Sequence, residues 1–188
     1  MQKTAEEIQA LFKLIDDPDE EVYSTISNRI LHYGSPIIPD LEHLWESTLD
    51  EVSLERIEMM IYQLRLQDLK EALIAWKSKE APSLFEGALL VTKFHYPEMN
   101  LDNLRNQLEK IRRNIWLELN NYLTPLEQAN VLRNILFSYY QIKGVEVNYE
   151  NPEDFLVSSP LQSKPGNAFA NSLIYAELCQ QLEIHAEW

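Results

Sequence analysis

The sequence contains one cysteine, four glycines and few cations, and each scarcity narrows what the chain can be. Cys179 alone can form no intrachain disulfide and supply no multi-cysteine metal site, which fits a reducing compartment. Lysine and arginine total 16 against 30 acidic residues, a formal net charge of -14, so the summed field repels phosphate backbones and anionic headgroups. Nucleic acid and membrane surfaces are therefore poor partners. No apolar run approaches the length of a membrane span, and the opening Met1-Gln2-Lys3-Thr4-Ala5-Glu6-Glu7 shows no basic region ahead of an apolar stretch. The expected location is cytoplasmic. With 188 residues, 45% of them hydrophobic, the chain can fill one ordinary core or two small ones.

Helical periodicity is abundant. Thr4-x-x-Glu7 has capping-box spacing, and Ile8, Leu11, Phe12 and Ile15 then recur at helical intervals. Asp16-Asp17-Pro18 ends that helix. Pro18 suits the first position of the next one, Asp19, Glu20 and Glu21 complement the positive end of its dipole, and Val22, Ile26, Ile30 and Leu31 form its apolar stripe. Tyr33-Gly34-Ser35-Pro36 closes it. A third helix is expected over 35–48, with Ile37, Ile38, Leu41, Leu44 and Trp45 facing inward, a fourth over 53–64 and a fifth over 66–77.

The run from Leu11 through Asp16-Asp17-Pro18 to Val22, followed by Gly34-Ser35-Pro36-Ile37-Ile38-Pro39-Asp40-Leu41, resembles a HEAT repeat, in which an Asp-Pro turn joins two antiparallel helices. Each such pair has an apolar side that only a neighbouring pair can cover, so the resemblance implies a layered array with about two pairs before residue 80. A plain helical bundle is the alternative.

The polar stretch Lys77-Ser78-Lys79-Glu80-Ala81-Pro82 divides the chain into regions 1–80 and 82–188. A helix is expected over 83–95, with Leu84, Leu89, Leu90 and Phe94 on its apolar side. Asn100 or Asp102 caps a long helix carrying Leu101, Leu104, Leu108, Ile111, Ile115, Trp116 and Leu119. Thr124-Pro125, with Glu127 completing a capping box, opens another that reaches about residue 142 and turns Leu126, Ala129, Val131, Leu132, Ile135, Leu136 and Phe137 inward. Residues 144–165 differ: Val145 to Tyr149 alternate like a short strand or extended loop, three prolines interrupt the remainder, and a surface excursion with little regular structure is expected. Helix returns after Gly166, with Phe169, Leu173, Ile174, Leu178, Cys179 and Leu182 inward.

Several fragments of the second region occur in a telling order: Leu84-Phe85-Glu86-Gly87-Ala88-Leu89-Leu90, Tyr96-Pro97-Glu98, Asn134-Ile135-Leu136-Phe137, Gly144 … Asn148-Tyr149-Glu150-Asn151-Pro152, and Gly166-Asn167-Ala168-Phe169-Ala170-Asn171-Ser172-Leu173-Ile174-Tyr175. Together they resemble the SirB-type transglutaminase-like family of bacterial proteins over residues 82–188. The resemblance implies a fold similar to transglutaminases and papain-like peptidases, where a helix bears a nucleophilic cysteine in its first turn and a following sheet bears His and Asp. The expected architecture is thus mainly α: HEAT-like helix pairs, then a helical unit leading into an incomplete transglutaminase-like α+β core.

A cysteine at a helix N-terminus has its thiolate stabilised by the dipole, and a nearby imidazole takes the proton. Active transglutaminase-like proteins open that helix with Gly-x-Cys, and here Gly166-Asn167-Ala168 stands in its place. The resemblance makes Ala168 a degenerate nucleophile position, and a methyl group cannot attack a carbonyl. The His and Asp of the scheme would fall on strands beyond Trp188, so a shortened chain or a natural remnant is expected.

The remaining reactive residues have bland explanations. Cys179 lies well inside its helix in phase with Tyr175 and Leu182, as a buried structural thiol would. His32, His43, His95 and His185 show no metal-ligand spacing with a third ligand, and the acidic cluster 16–21 lacks the glycine and spacing of a calcium loop. Trp45 and Trp116 fall on apolar faces and are expected in the core, whereas Trp188 ends a segment that reads like entry into a sheet. No cofactor, metal or catalytic residue is expected. Two functions are expected from this pattern: a non-catalytic interaction module for a protein or peptide, with the acidic charge favouring a basic one, or the amino-terminal portion of a longer transglutaminase-like or cysteine-hydrolase-type enzyme.

Overall fold

A computed structural model describes residues 2–184, with side chains from residue 7 onward. Residues up to Ala72 form one compact unit and those from Leu73 onward a second. The division falls inside a helix, ahead of the polar stretch 77–82.

The first unit contains α1 (Gln2–Phe12), α2 (Glu20–Leu31), a 3-10 turn (Ser35–Ile37), α3 (Ile38–Ser47) and most of α4 (Glu51–Lys77). The helix α1 begins before Thr4, so the expected cap there is not its start. Asp19 caps α2 by accepting from the Glu21 N–H at 2.9 Å, which leaves Pro18 just outside the helix and not at its first position. Gly34, at φ 72°, makes the turn that a side chain would strain. Ile15, Ile26, Ile30, Ile37, Leu41, Ile57, Met60 and Leu64 are buried together as the core of this unit. The helices expected over 53–64 and 66–77 are a single helix, because no glycine or proline occurs between Asp40 and Ala81 to interrupt it. The region up to Lys77 thus has four α-helices where five were expected.

Arg56 on α4 ties the Asp-Pro turn together. Its guanidinium donates to the Ile15 and Asp17 carbonyls at 2.7 and 2.8 Å, pairs with Glu20 at 2.9 Å and lies over the Tyr23 ring at 4.1 Å. Carbonyls of the turn between α1 and α2 thus gain a cationic donor. Trp45, expected in the core, is 41% exposed and donates its indole N–H to Glu58 at 3.0 Å. Ile37 and Leu41 already fill the inward line of that face.

The second unit follows the last turn of α4 with α5 (Leu84–His95), α6 (Leu101–Glu118), α7 (Pro125–Arg133), a π-helical turn (Asn134–Tyr139), β1 (Lys143–Gly144), a 3-10 turn (Pro152–Phe155), α8 (Ser158–Gln162), β2 (Pro165–Gly166) and α9 (Ala168–Gln181). Side chains set the starts: Ser83 caps α5, Asn100 caps α6, and Thr124 with Glu127 closes a full capping box on α7. Phe85, Leu89, Leu104, Leu108, Ile111, Ile115, Leu132, Leu136, Ile174 and Leu178 lead its core.

The structure corrects the expectations for this unit in part. Residues 146–153 are the expected exposed excursion, but the segment then turns inward: Leu156, Val157, Pro160 and Leu161 are buried, and Val157 and Leu161 join the core. Val145 to Tyr149, read as a short strand or extended loop, are loop, and the two-residue β1 ahead of them pairs in parallel with β2. Trp116, Leu126 and Phe137, read as inward, are 62%, 72% and 45% exposed, because Ile111, Ile115, Leu132 and Leu136 occupy the inward line. No helix among the described residues is long and apolar enough to cross a membrane. His185 and Trp188 lie outside the described residues.

Candidate functional site

The start of α9 is built by its neighbours in sequence and by β1. Lys143 N–H donates to the Lys164 carbonyl at 2.9 Å and Val145 N–H to the Gly166 carbonyl at 3.0 Å, which fixes the chain just before the helix. Asn171 reaches back and donates to the same Gly166 carbonyl at 2.9 Å. Glycine is required at 166, since a Cβ there would come within 2.6 Å of Asn171 Oδ1 and 2.9 Å of Pro160 Cβ. Asn167, fully buried, caps the helix by accepting from the Ala170 N–H at 3.0 Å.

Gly166 and Asn167 are therefore structural, and Ala168 is the first residue of α9 with its methyl group exposed. The position suits an activated thiolate, being at the positive end of a 14-residue helix, but alanine has nothing to ionise. Asn167 Nδ2 and Asn171 Oδ1 are buried without a hydrogen-bond partner among the described residues.

Beside this helix start lies an apolar groove of about 510 Å³. Leu73 and Trp76 from the end of α4, Leu84, Gly87, Ala88, Val91 and His95 from α5, Phe169 and Leu173 from α9, and Tyr149, Pro152, Phe155, Leu156 and Val157 from the segment before α8 line it. Trp76 is held at both edges: its indole N–H donates to the Ser83 carbonyl at 2.6 Å, and its ring covers Gly87 so closely that a Cβ there would sit 2.8 Å from two ring carbons. Tyr149 stacks on Phe155 at 5.8 Å between ring centroids. Of the four histidines, His95 is brought to this groove, whereas His32 and His43 belong to the first unit.

A buried carboxylate on α9 holds the groove in place. Glu177, 4% exposed, accepts from the Ser83 hydroxyl at 2.8 Å, the Phe85 N–H at 3.3 Å and the Gln181 amide at 2.8 Å. It thus anchors the first turn of α5 to α9 and meets the dipole of α5 with the favourable sign. Periodicity missed it, because a glutamate in a helix ordinarily reads as solvated. Gly87, inside an apolar helix, was the one sequence signal of a close approach.

Cys179 is 2% exposed, and burial pushes its thiol above the ordinary range. A disulfide reagent is expected to modify native Cys179 at least about 100-fold more slowly than the unfolded chain, while an Ala168→Cys variant gains a fast-reacting thiol. Equal rates at the two positions would show that Cys179 is at the surface. Among the described residues no three of His, Cys, Asp and Glu gather to hold a metal ion.

No curated protein and no solved structure matches the chain. Residues 102–188, which include Gly166, Asn167 and Ala168, match the family model described as the transglutaminase-like superfamily.

Proposed function

We propose that this is a non-catalytic transglutaminase-like protein that holds a protein or peptide segment in the groove beside α9. The reading rests on one observation: an exposed alanine stands where the helix start would activate a thiol, next to an intact apolar groove. Acyl transfer by this scaffold needs a sulfur that forms a bond to the acyl carbon and a base that removes its proton. Ala168 supplies neither lone pair nor proton. Binding needs only the walls, and fixed aromatic side chains such as Trp76 and Phe155 give large contact area with little loss of freedom.

Two measurements test the proposal together. Purified chain is expected to leave peptide amides uncleaved and to incorporate no amine into a protein substrate. A displayed peptide library is expected to yield binders that a folded Val91→Trp variant loses, since the new indole would occupy the groove. Amide turnover by the alanine-bearing chain, or binders indifferent to Val91→Trp, would overturn it.

A further inference from the structure

Charge is distributed unevenly around the groove. The segment that forms one wall reads Tyr149-Glu150-Asn151-Pro152-Glu153-Asp154-Phe155, so three carboxylates are interspersed with three groove-lining residues. No lysine or arginine occurs between Gly144 and Ser163. Among the described residues Glu150 and Asp154 have no cationic partner, and the Glu153 carboxylate accepts only from the Tyr96 hydroxyl. Most cations near the facing elements are engaged elsewhere, Lys77 at the end of α4 excepted: Lys93 donates to the Pro97 and Met99 carbonyls, and Arg105 is bound to Glu86 and Asp102, with Lys79 also acting on Glu86. Phe169 and Leu84, 57% and 45% exposed, leave the apolar floor open to a visitor.

We infer that the groove selects a basic segment, one that seats large apolar side chains against Trp76, Phe155 and Phe169 while flanking lysines or arginines meet the Glu150, Glu153 and Asp154 wall. This rests on the binding reading given above and adds the chemistry of the partner. The apolar anchors supply affinity, because they leave water for a preformed surface. The carboxylates supply selectivity and rate, since exposed ion pairs each contribute little yet a like-charged segment is repelled. A protein of net charge -14 strengthens the same bias at long range.

The test uses the full chain and three short peptides with identical leucine and tryptophan anchors, flanked by lysines, glutamines or glutamates, read by fluorescence anisotropy. The lysine peptide is expected to bind roughly tenfold more tightly than the glutamine peptide at low salt, with the difference collapsing at high salt. The double variant Glu150→Gln/Asp154→Asn should cut that preference to about threefold or less, with a much smaller change for the glutamine peptide. Phe169→Ala should weaken all bound peptides about fivefold regardless of flank. Equal affinities for lysine and glutamate flanks would overturn the basic partner and leave the groove reading intact. Binding that ignores both Phe169→Ala and Val91→Trp would overturn the groove itself.

Discussion

Replacing Glu177 with alanine lowers the stability of the carboxyl-terminal unit by about 2–3 kcal/mol, whereas glutamine at the same position costs less than about 1 kcal/mol. The difference comes from which oxygen does what. Oε2 accepts from both the Ser83 hydroxyl and the Phe85 N–H, and Oε1 accepts only from Gln181, which lies at the exposed end of α9. A glutamine that keeps its carbonyl oxygen in the first place retains both bonds to α5, and Gln181 can turn to water. Alanine leaves the buried Phe85 N–H with no acceptor and opens a void between the two helices. Relief of the carboxylate's desolvation works the other way, but three donors and a helix N-terminus already compensate that charge. Urea denaturation followed by circular dichroism of both variants decides it, and an alanine variant as stable as the parent would remove Glu177 from any anchoring role.

The second large effect has an unexpected sign. Glycine to alanine inside a helix ordinarily stabilises by up to about 1 kcal/mol, yet Gly87→Ala is expected to destabilise by about 2 kcal/mol. The added methyl would stand 2.8 Å from Trp76 Cε2 and Cζ2, a distance that real carbon contacts do not reach, so the indole must move. Its N–H bond to the Ser83 carbonyl then lengthens or breaks, because the nitrogen is bonded to one of the displaced carbons. A red shift of tryptophan emission should accompany the lost stability. Gly144→Ala provides the control: nothing lies within 4 Å of its added Cβ, and its effect should stay within about 0.5 kcal/mol. Equal behaviour of the two variants would mean that Trp76 does not rest on α5.

Much of the fold was legible because its helices carry their own punctuation. Thr124 with Glu127, Asn100, Ser83 and Asn167 each satisfy an orphan N–H at a helix start, and such caps are local chemistry that a sequence displays. Gly166-Asn167-Ala168 was legible as a helix opening for the same reason. The long-range arrangements were not. Glu177 and Ser83 are 94 positions apart, and nothing in either neighbourhood announces the other. Residues 152–161 hold Phe155, Leu156, Val157 and Leu161 in no regular period and with two prolines among them, yet Val157 and Leu161 are core because β1 and β2 draw their flanks inward. The tryptophans mark the same limit: Trp116 satisfies a helical stripe on paper, but only the width of the facing surface decides that Ile115 fills it.

Electrostatics on α6 give a smaller example. Arg112 and then Arg113 hold the Glu109 carboxylate down to about 2, so its contribution to folding is present above the ordinary carboxylate range and disappears as pH falls through that value. Both pairs are at surface positions and screened, which makes the contribution modest.

The short parallel pairing of Lys143–Gly144 with Pro165–Gly166 also dictates how the intervening lobe can breathe. Lys143 lies on an exposed stretch, yet its amide hydrogen is committed to a carbonyl across the gap, as is that of Val145. Those two protons can trade with solvent deuterium only when the lobe lifts from its base, so they keep time for an opening that would lay bare Val157 and Leu161.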